Sequence, residues 1–229
     1  MKKIQYAFYH ILLLIVIISC QPEDPEPNPP TNGTVTDIDG NIYSTQIIGT
    51  QEWMVENLKS SKYCNGDTIP NVTDNNEWQN LTTGAWAHYN NDSQYEDIYG
   101  KLYNWQAIDD NRNVCPCGWH VPSEEEWTIL ENYLNGQGIA GGKMKSVGTQ
   151  YWAIPNTDAT NESGFSGLPG GNRSTNGTFI GVGTQGRWWG ILESGNNYTW
   201  YRRLNYLDGG LGKYNANLND GLSVRCIKD

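Results

Sequence analysis

The chain predicts an α+β domain built from two short helices, short antiparallel strands and long loops. Three observations carry this. One stretch, Pro122-Ser123-Glu124-Glu125-Glu126-Trp127, opens a helix whose apolar residues recur at helical spacing. Elsewhere the apolar residues come in short runs bounded by Gly, Asn and Asp, the mark of short strands. The apolar stock is also aromatic, with 10 Trp and 14 Tyr against 3 Phe on a framework holding 26 Gly. Rings with one polar edge fill cores, and they also stack on sugars.

Residues 1–19 read as an export signal. Lys2 and Lys3 give a basic start, and Ile11 to Ile18 is an uninterrupted apolar run too short to span a bilayer. Ile17-Ile18-Ser19-Cys20 resembles the bacterial lipobox. That resemblance implies cleavage before Cys20, acylation of its thiol (diacylglycerol, palmitate), and anchoring to the outer membrane without a span. Residues 20–36 then form a tether: Gln21 to Pro30 offers acids and prolines and almost nothing to bury. Acids directly after Cys20 resemble the export signal of surface-displayed lipoproteins. Glu26-Pro27-Asn28 spells a lectin triplet, but a disordered tether gives it no scaffold.

Removing residues 1–19 takes Lys2 and Lys3 from the 15 basic residues, so 13 face 25 acidic ones, a formal charge of −12. This excludes nucleic acid and anionic membrane surfaces as direct partners. Residues 37–229 are enough for one domain with a real core.

In chain order, Val35 to Tyr43 predicts a hairpin around Asp39-Gly40. Asp37, Asp39 and Asn41 also sit like the start of a calcium loop, but the sixth-position glycine and closing Glu are missing. Gln46 to Leu58 continues as strand, turn, strand, and residues 71–97 are polar and loop-like. Tyr99 to Ile108 carries Leu102, Trp105 and Ile108 at helical spacing and predicts a short helix. The second helix starts at Ser123, an N-cap with Glu126 three residues on, and Glu124 and Glu125 favour the helix dipole. Trp127, Leu130, Tyr133 and Leu134 line its apolar face, and Gly136 stops it. From Gly141 on, the chain is punctuated by Gly and Asn. Gly164 to Arg173 is turn-rich, and strands are expected at 179–181, 186–192, 198–203 and 221–227. In the last, Leu222, Val224 and Cys226 share a face.

Without Cys20, four cysteines remain: Cys64, Cys115, Cys117 and Cys226. An even set in an exported chain predicts two disulfides. Cys115 and Cys117 flank a proline and point apart, which leaves two pairings open.

Catalytic and metal sites find little support, and no cofactor is expected. Cys115-Pro116-Cys117 lacks the second spacer of a redox motif. His88 and His120 stand outside any zinc spacing. Gly164-Phe165-Ser166-Gly167 misses the nucleophile elbow because Leu168 stands where glycine is required. Gly181 to Gly186 spells GxGxxG between short strands with no βαβ unit, so a hairpin loop is the expectation.

Six motifs together resemble the Fibrobacter succinogenes major paralogous domain (FISUMP) family of bacterial lipoproteins. In order they are Asp39-Gly40-Asn41-x-Tyr43, Trp53-Met54-x-Glu56-Asn57-Leu58 and Tyr99-Gly100-x-Leu102-Tyr103-Asn104-Trp105. Then come Cys115-Pro116-x-Gly118-Trp119-His120-Val121-Pro122-Ser123, Gly164-Phe165-Ser166-x-Leu168-Pro169-Gly170-Gly171 and Ser223-Val224-Arg225-Cys226. The resemblance runs from about residue 37 to 229 and implies a C-type-lectin-like fold. It also implies a choice of pairing: Cys115 with Cys226, which ties the central region to the closing strand, and Cys64 with Cys117. The longer loop would restrict the unfolded chain by about 4 to 5 kcal/mol. Trp119 to Trp127 further resembles the helix start of the formylglycine-generating enzymes. Only Cys226 lies where those enzymes keep two cysteines, so their oxidase activity is not implied.

A lectin-like fold implies a ligand face on the loops before the closing strands. The candidates there are Trp188, Trp189, Asn196, Asn197, Tyr198, Trp200, Tyr201, Arg202 and Arg203, with rings to stack on sugar and Asn and Arg to hydrogen-bond it. The expected function is a non-catalytic, surface-displayed module binding glycan or a surface protein. The alternatives are a structural envelope lipoprotein without a small ligand, or an enzyme related to the sulfatase-modifying family.

Overall fold

A computed structural model of the chain describes residues 33–191 and 199–229. The expected signal, Cys20 and most of the tether lie outside these residues, as do Asn196, Asn197 and Tyr198.

The described chain begins in a strand, so the domain takes in the last residues assigned above to the tether. β1 (Gly33–Thr36) pairs antiparallel with β2 (Ile42–Ile48), which pairs with β3 (Gln51–Met54). Threonine and valine suit such a strand. The hairpin at Asp37–Asn41 forms as expected. Asp37 accepts from the Asp39 and Asn41 backbone N–H groups (2.9 Å each), from Asn41 Nδ2 (2.8 Å) and from the Tyr43 hydroxyl (2.6 Å). Its carboxylate is spent on shaping the turn.

After α1 (Asn75–Gln79), capped by Asp74, come β4 (Trp86–Ala87) and α2 (Glu96–Tyr99). The single helix expected over 99–108 is not there. Gly100, at φ 71°, ends α2; β5 (Leu102–Tyr103) pairs with β4; and Asn104 caps a new turn, α3 (Trp105–Ile108). Asn104 prefers to bond backbone rather than continue a helix, since its Oδ1 accepts from the Ala85 and Ala107 N–H groups (2.8 and 3.2 Å).

β6 (Trp119–His120) leads into α4 (Glu124–Tyr133), whose capping box of Ser123 and Glu126 is formed as predicted. Tyr133 departs from the expected face. It is 61% exposed, and its ring lies over Gly49. A helix the sequence did not announce follows, α5 (Gln137–Met144). Among the described residues the helices therefore number more than two, but only α4 and α5 exceed a turn and a half.

The remaining strands are β7 (Gly170–Arg173), β8 (Phe179–Val182), β9 (Gln185–Gly190), β10 (Trp200–Asn205), β11 (Gly212–Asn215) and β12 (Ile227–Lys228). β7 lies inside the segment read as turns, and β11 was not expected. The GxGxxG stretch is a turn, but β8 pairs with β7 and β9 with β10, so it does not close a hairpin ladder. The closing strand is mostly isolated bridges, with Leu222 on Tyr103 and Ser223 on Trp188, before β12. Leu222, Val224 and Cys226 do share one core cluster.

A five-stranded sheet runs in the order β1-β2-β3-β12-β6, and a three-stranded sheet in the order β11-β10-β9. The first and last of the described strands thus share one sheet. Two large apolar clusters meet these sheets, one around Tyr43, Tyr103, Trp105 and Trp189, the other around Trp53, Trp127, Phe165 and Trp188. Disulfides join Cys64 to Cys117 and Cys115 to Cys226, with Cα–Cα distances of 5.3 and 6.0 Å.

Candidate functional site

All 10 tryptophans are buried. Three residues of the expected ligand face, Trp188, Trp189 and Trp200, are thus core residues. Trp188 donates its indole N–H to Asn57 Oδ1 (2.8 Å) and Trp189 to the Tyr103 carbonyl (2.7 Å), each inside a core cluster. The Trp200 ring fills the space above Gly190, and Tyr201 packs in the first cluster. None of these rings offers a face to a sugar. Arg202 points inward and pairs with Glu131 at 2.7 Å. The physical reason is alternation: Trp200, Arg202 and Leu204 face the second cluster, which leaves Tyr201 and Arg203 on the other side of β10.

Arg203 is the expected residue that reaches an opening. It lines a cleft of about 250 Å³ with Gln137, Asp208, Leu211 and Tyr214. Its Nη2 donates to the Tyr214 hydroxyl (2.6 Å), and the guanidinium sits 4.2 Å from the centre of that ring. Tyr214 is 40% exposed and stacks on Tyr201, centroids 5.7 Å apart. The register explains the stack, because Tyr201 and Tyr214 are direct partners between β10 and β11. The same register places Arg187 of β9 directly opposite Arg203. Arg187 lies 5.3 Å from the Tyr201 ring centre and donates from Nε and Nη2 to Gln185 Oε1. Burial pulls its pKa below the ordinary arginine range. A second cleft, of about 370 Å³, lies between Ile139, Lys143, Asp158 and Glu162.

Sequence reasoning missed Arg187 and Tyr214. Strand alternation does put Tyr201 and Arg203 on one face, and that signal was readable. Their companions depend on register with β9 and β11.

The histidines are engaged elsewhere. His88 bonds Glu96, which also takes Lys101 Nζ at 2.7 Å. His120 bonds Glu126 through Nε2 (2.8 Å) and Asp229 through Nδ1 (2.7 Å). Its pKa is raised to about 9, chiefly by the hydrogen bond to Glu126. Among the described residues no group of three or more His, Cys, Asp or Glu is placed to hold a metal ion, and no helix is long and apolar enough to cross a membrane.

The fold and this face define a disulfide-tied α+β domain with a small cleft where Arg203 and Tyr214 meet Asp208. The model of the Fibrobacter succinogenes major domain matches residues 47–228, and the chain belongs to that family. No curated protein matches the chain, and no solved structure does.

Proposed function

We propose that this domain is a non-catalytic binding module, held at the bacterial surface by a lipid on Cys20, and that its ligand is a glycan. The observation that carries the glycan reading is the exposed Tyr214 ring beside Arg203 at the mouth of a cleft. A half-exposed ring supplies apolar surface for a sugar to lie against, and an adjacent guanidinium supplies directed donors for hydroxyl or acidic groups. Non-catalytic binding is supported by the bonding of the cysteines, all four of which are held in disulfides. The lipid anchor rests on Ile17-Ile18-Ser19-Cys20 and the acidic, proline-rich stretch after it. Kinship with the C-type-lectin-like fold is part of this proposal. It is supported by the meeting of the first and last of the described strands in one sheet and by the Cys115–Cys226 tie to the closing segment.

A glycan array probed with the purified full chain, with and without calcium, tests the reading. Binding to a defined class of sugars is expected, and uniform silence would sink it. A second reading, a structural envelope lipoprotein with no small ligand, is favoured by the burial of every indole. It predicts that silence. Mass spectrometry of the membrane-extracted protein tests the anchor by seeking acyl chains on Cys20.

A further inference from the structure

We infer that the β9–β10–β11 face takes an acidic glycan, with a sugar carboxylate or sulfate ester held between Arg203, which lines the cleft, and its cross-strand neighbour Arg187, which does not. This rests on the glycan reading above and names the class of sugar. Four observations converge on it. Arg187 and Arg203 are direct cross-strand partners with Cβ atoms about 5 Å apart, so two like charges share one strip of the sheet, an arrangement that repels without a counter-ion. Among the described residues neither has a carboxylate within ion-pair distance, although the chain carries 25 acidic residues against 15 basic ones. Arg203 Nε is buried and has no hydrogen-bond partner, while its Nη2 is fixed by Tyr214. Both guanidinium groups lie over tyrosine rings of one stack, Arg187 on Tyr201 and Arg203 on Tyr214.

The surrounding carboxylates are occupied. Asp208, at the cleft wall, accepts from the Gly210 N–H (3.0 Å) within its own turn. Asp220 acts on Arg187 only at longer range, and its oxygens take the Thr175 and Asn217 N–H groups (3.0 Å each). A planar anionic group suits two guanidinium forks, and a pyranose ring attached to it would lie against Tyr214. Arg202 takes no part, because it faces the opposite side of β10 and pairs with Glu131.

Affinity electrophoresis of the full chain through gels holding polygalacturonate, dextran sulfate, methyl-esterified polygalacturonate, dextran or polyglutamate tests this. The two anionic polysaccharides should retard the protein, increasingly so at low salt, and the neutral ones should not. Arg203→Gln and Arg187→Gln should each weaken retention by about tenfold or more, as expected for loss of a charge-assisted hydrogen bond. Arg203→Gln should leave the melting temperature unchanged or raise it, because a like-charge contact is relieved. A fall in melting temperature together with lost binding would make Arg203 a structural residue and overturn the proposal. Retention by neutral sugars alone would overturn the anionic assignment and leave the glycan reading standing. Equal retention by polyglutamate would overturn the glycan reading and keep the cationic face. Silence in every gel would overturn both.

Discussion

Arg225 and Asn57 hold each other in the centre of the domain: the guanidinium donates to Asn57 Oδ1 from Nη2 at 2.8 Å and from Nε at 3.2 Å. The same oxygen receives the Trp188 indole N–H, and Asn57 Nδ2 donates to the Tyr99 carbonyl (2.9 Å). Arg225 is fully buried without a carboxylate partner among the described residues. It is satisfied further by the carbonyls of Phe165 (2.6 Å) and Met54 (3.2 Å). Burial pushes its pKa down, yet a guanidinium so bonded stays charged at neutral pH. Arg173 repeats the device, binding the carbonyls of Val72, Thr73 and Gly177. Asn57→Leu removes the shared acceptor and strands three donors. It is expected to cost about 3 kcal/mol, read from urea unfolding. A cost below about 1 kcal/mol would show that water or a shifted carbonyl replaces Asn57.

His120 ties the start of α4 to Asp229, and its raised pKa sets a pH dependence. A raised folded pKa stabilises the fold fully below about 6.5, the unfolded value, and the benefit is lost as pH rises through about 9. Glu126 works at the other end. Burial raises its pKa, but hydrogen bonds from His120 and Ser123 outweigh this and hold it below the ordinary glutamate value, so its contribution is lost as pH falls into the acid range. His120→Gln should therefore destabilise at pH 6 and change little at pH 10. Partial exposure screens the pair and limits the effect to about 1 kcal/mol. Urea midpoints of both proteins at the two pH values check this, and equal losses at both would remove the charge from the account.

The two disulfides differ in access. Cys115 and Cys226 are buried, whereas Cys117 is exposed. Mild reductant should open Cys64–Cys117 first, seen as two alkylated cysteines in a peptide map, while Cys115–Cys226 survives until the domain unfolds. Cys115→Ser with Cys226→Ser opens a loop spanning 111 residues and should cost about 4 to 5 kcal/mol. A map with Cys115 joined to Cys64 would contradict the fold itself.

Local chemistry was the legible part of this chain. Ser123 and Glu126 lie three residues apart, so their reciprocal cap could be read directly. The Asp37–Asn41 hairpin was readable for the same reason. The cysteine pairing followed the family resemblance. Of the expected ligand face, only Arg203 lines the cleft. Trp188 and Trp189 look like sugar-stacking residues in sequence, and only three-dimensional packing shows their indoles bonded to Asn57 and Tyr103. Arg187 and Tyr214 reach Arg203 through two strand registers, and β11, a short glycine-led strand, carried no signal.

The hidden helix α5 yields the last prediction, because its glycines argue against a helix in sequence and packing requires only two of them, Gly141 and Gly142. A Cβ on Gly141 would stand 2.0 Å from the Gly210 carbonyl oxygen, while one on Gly138 would meet nothing within 4 Å. The segment at 209–211 runs along the helix, with the Gly142 N–H on Gly209 O and the Leu211 N–H on Gln137 O, both at 2.8 Å. Gly138→Ala should therefore stabilise by about 0.5 to 1 kcal/mol, the helix-propensity gain. Gly141→Ala should cost about 3 kcal/mol through backbone overlap. Thermal melts of the two variants should move in opposite directions. If both rise, the 209–211 segment yields to the helix, and the wall of the cleft containing Asp208 and Leu211 is softer than its packing implies.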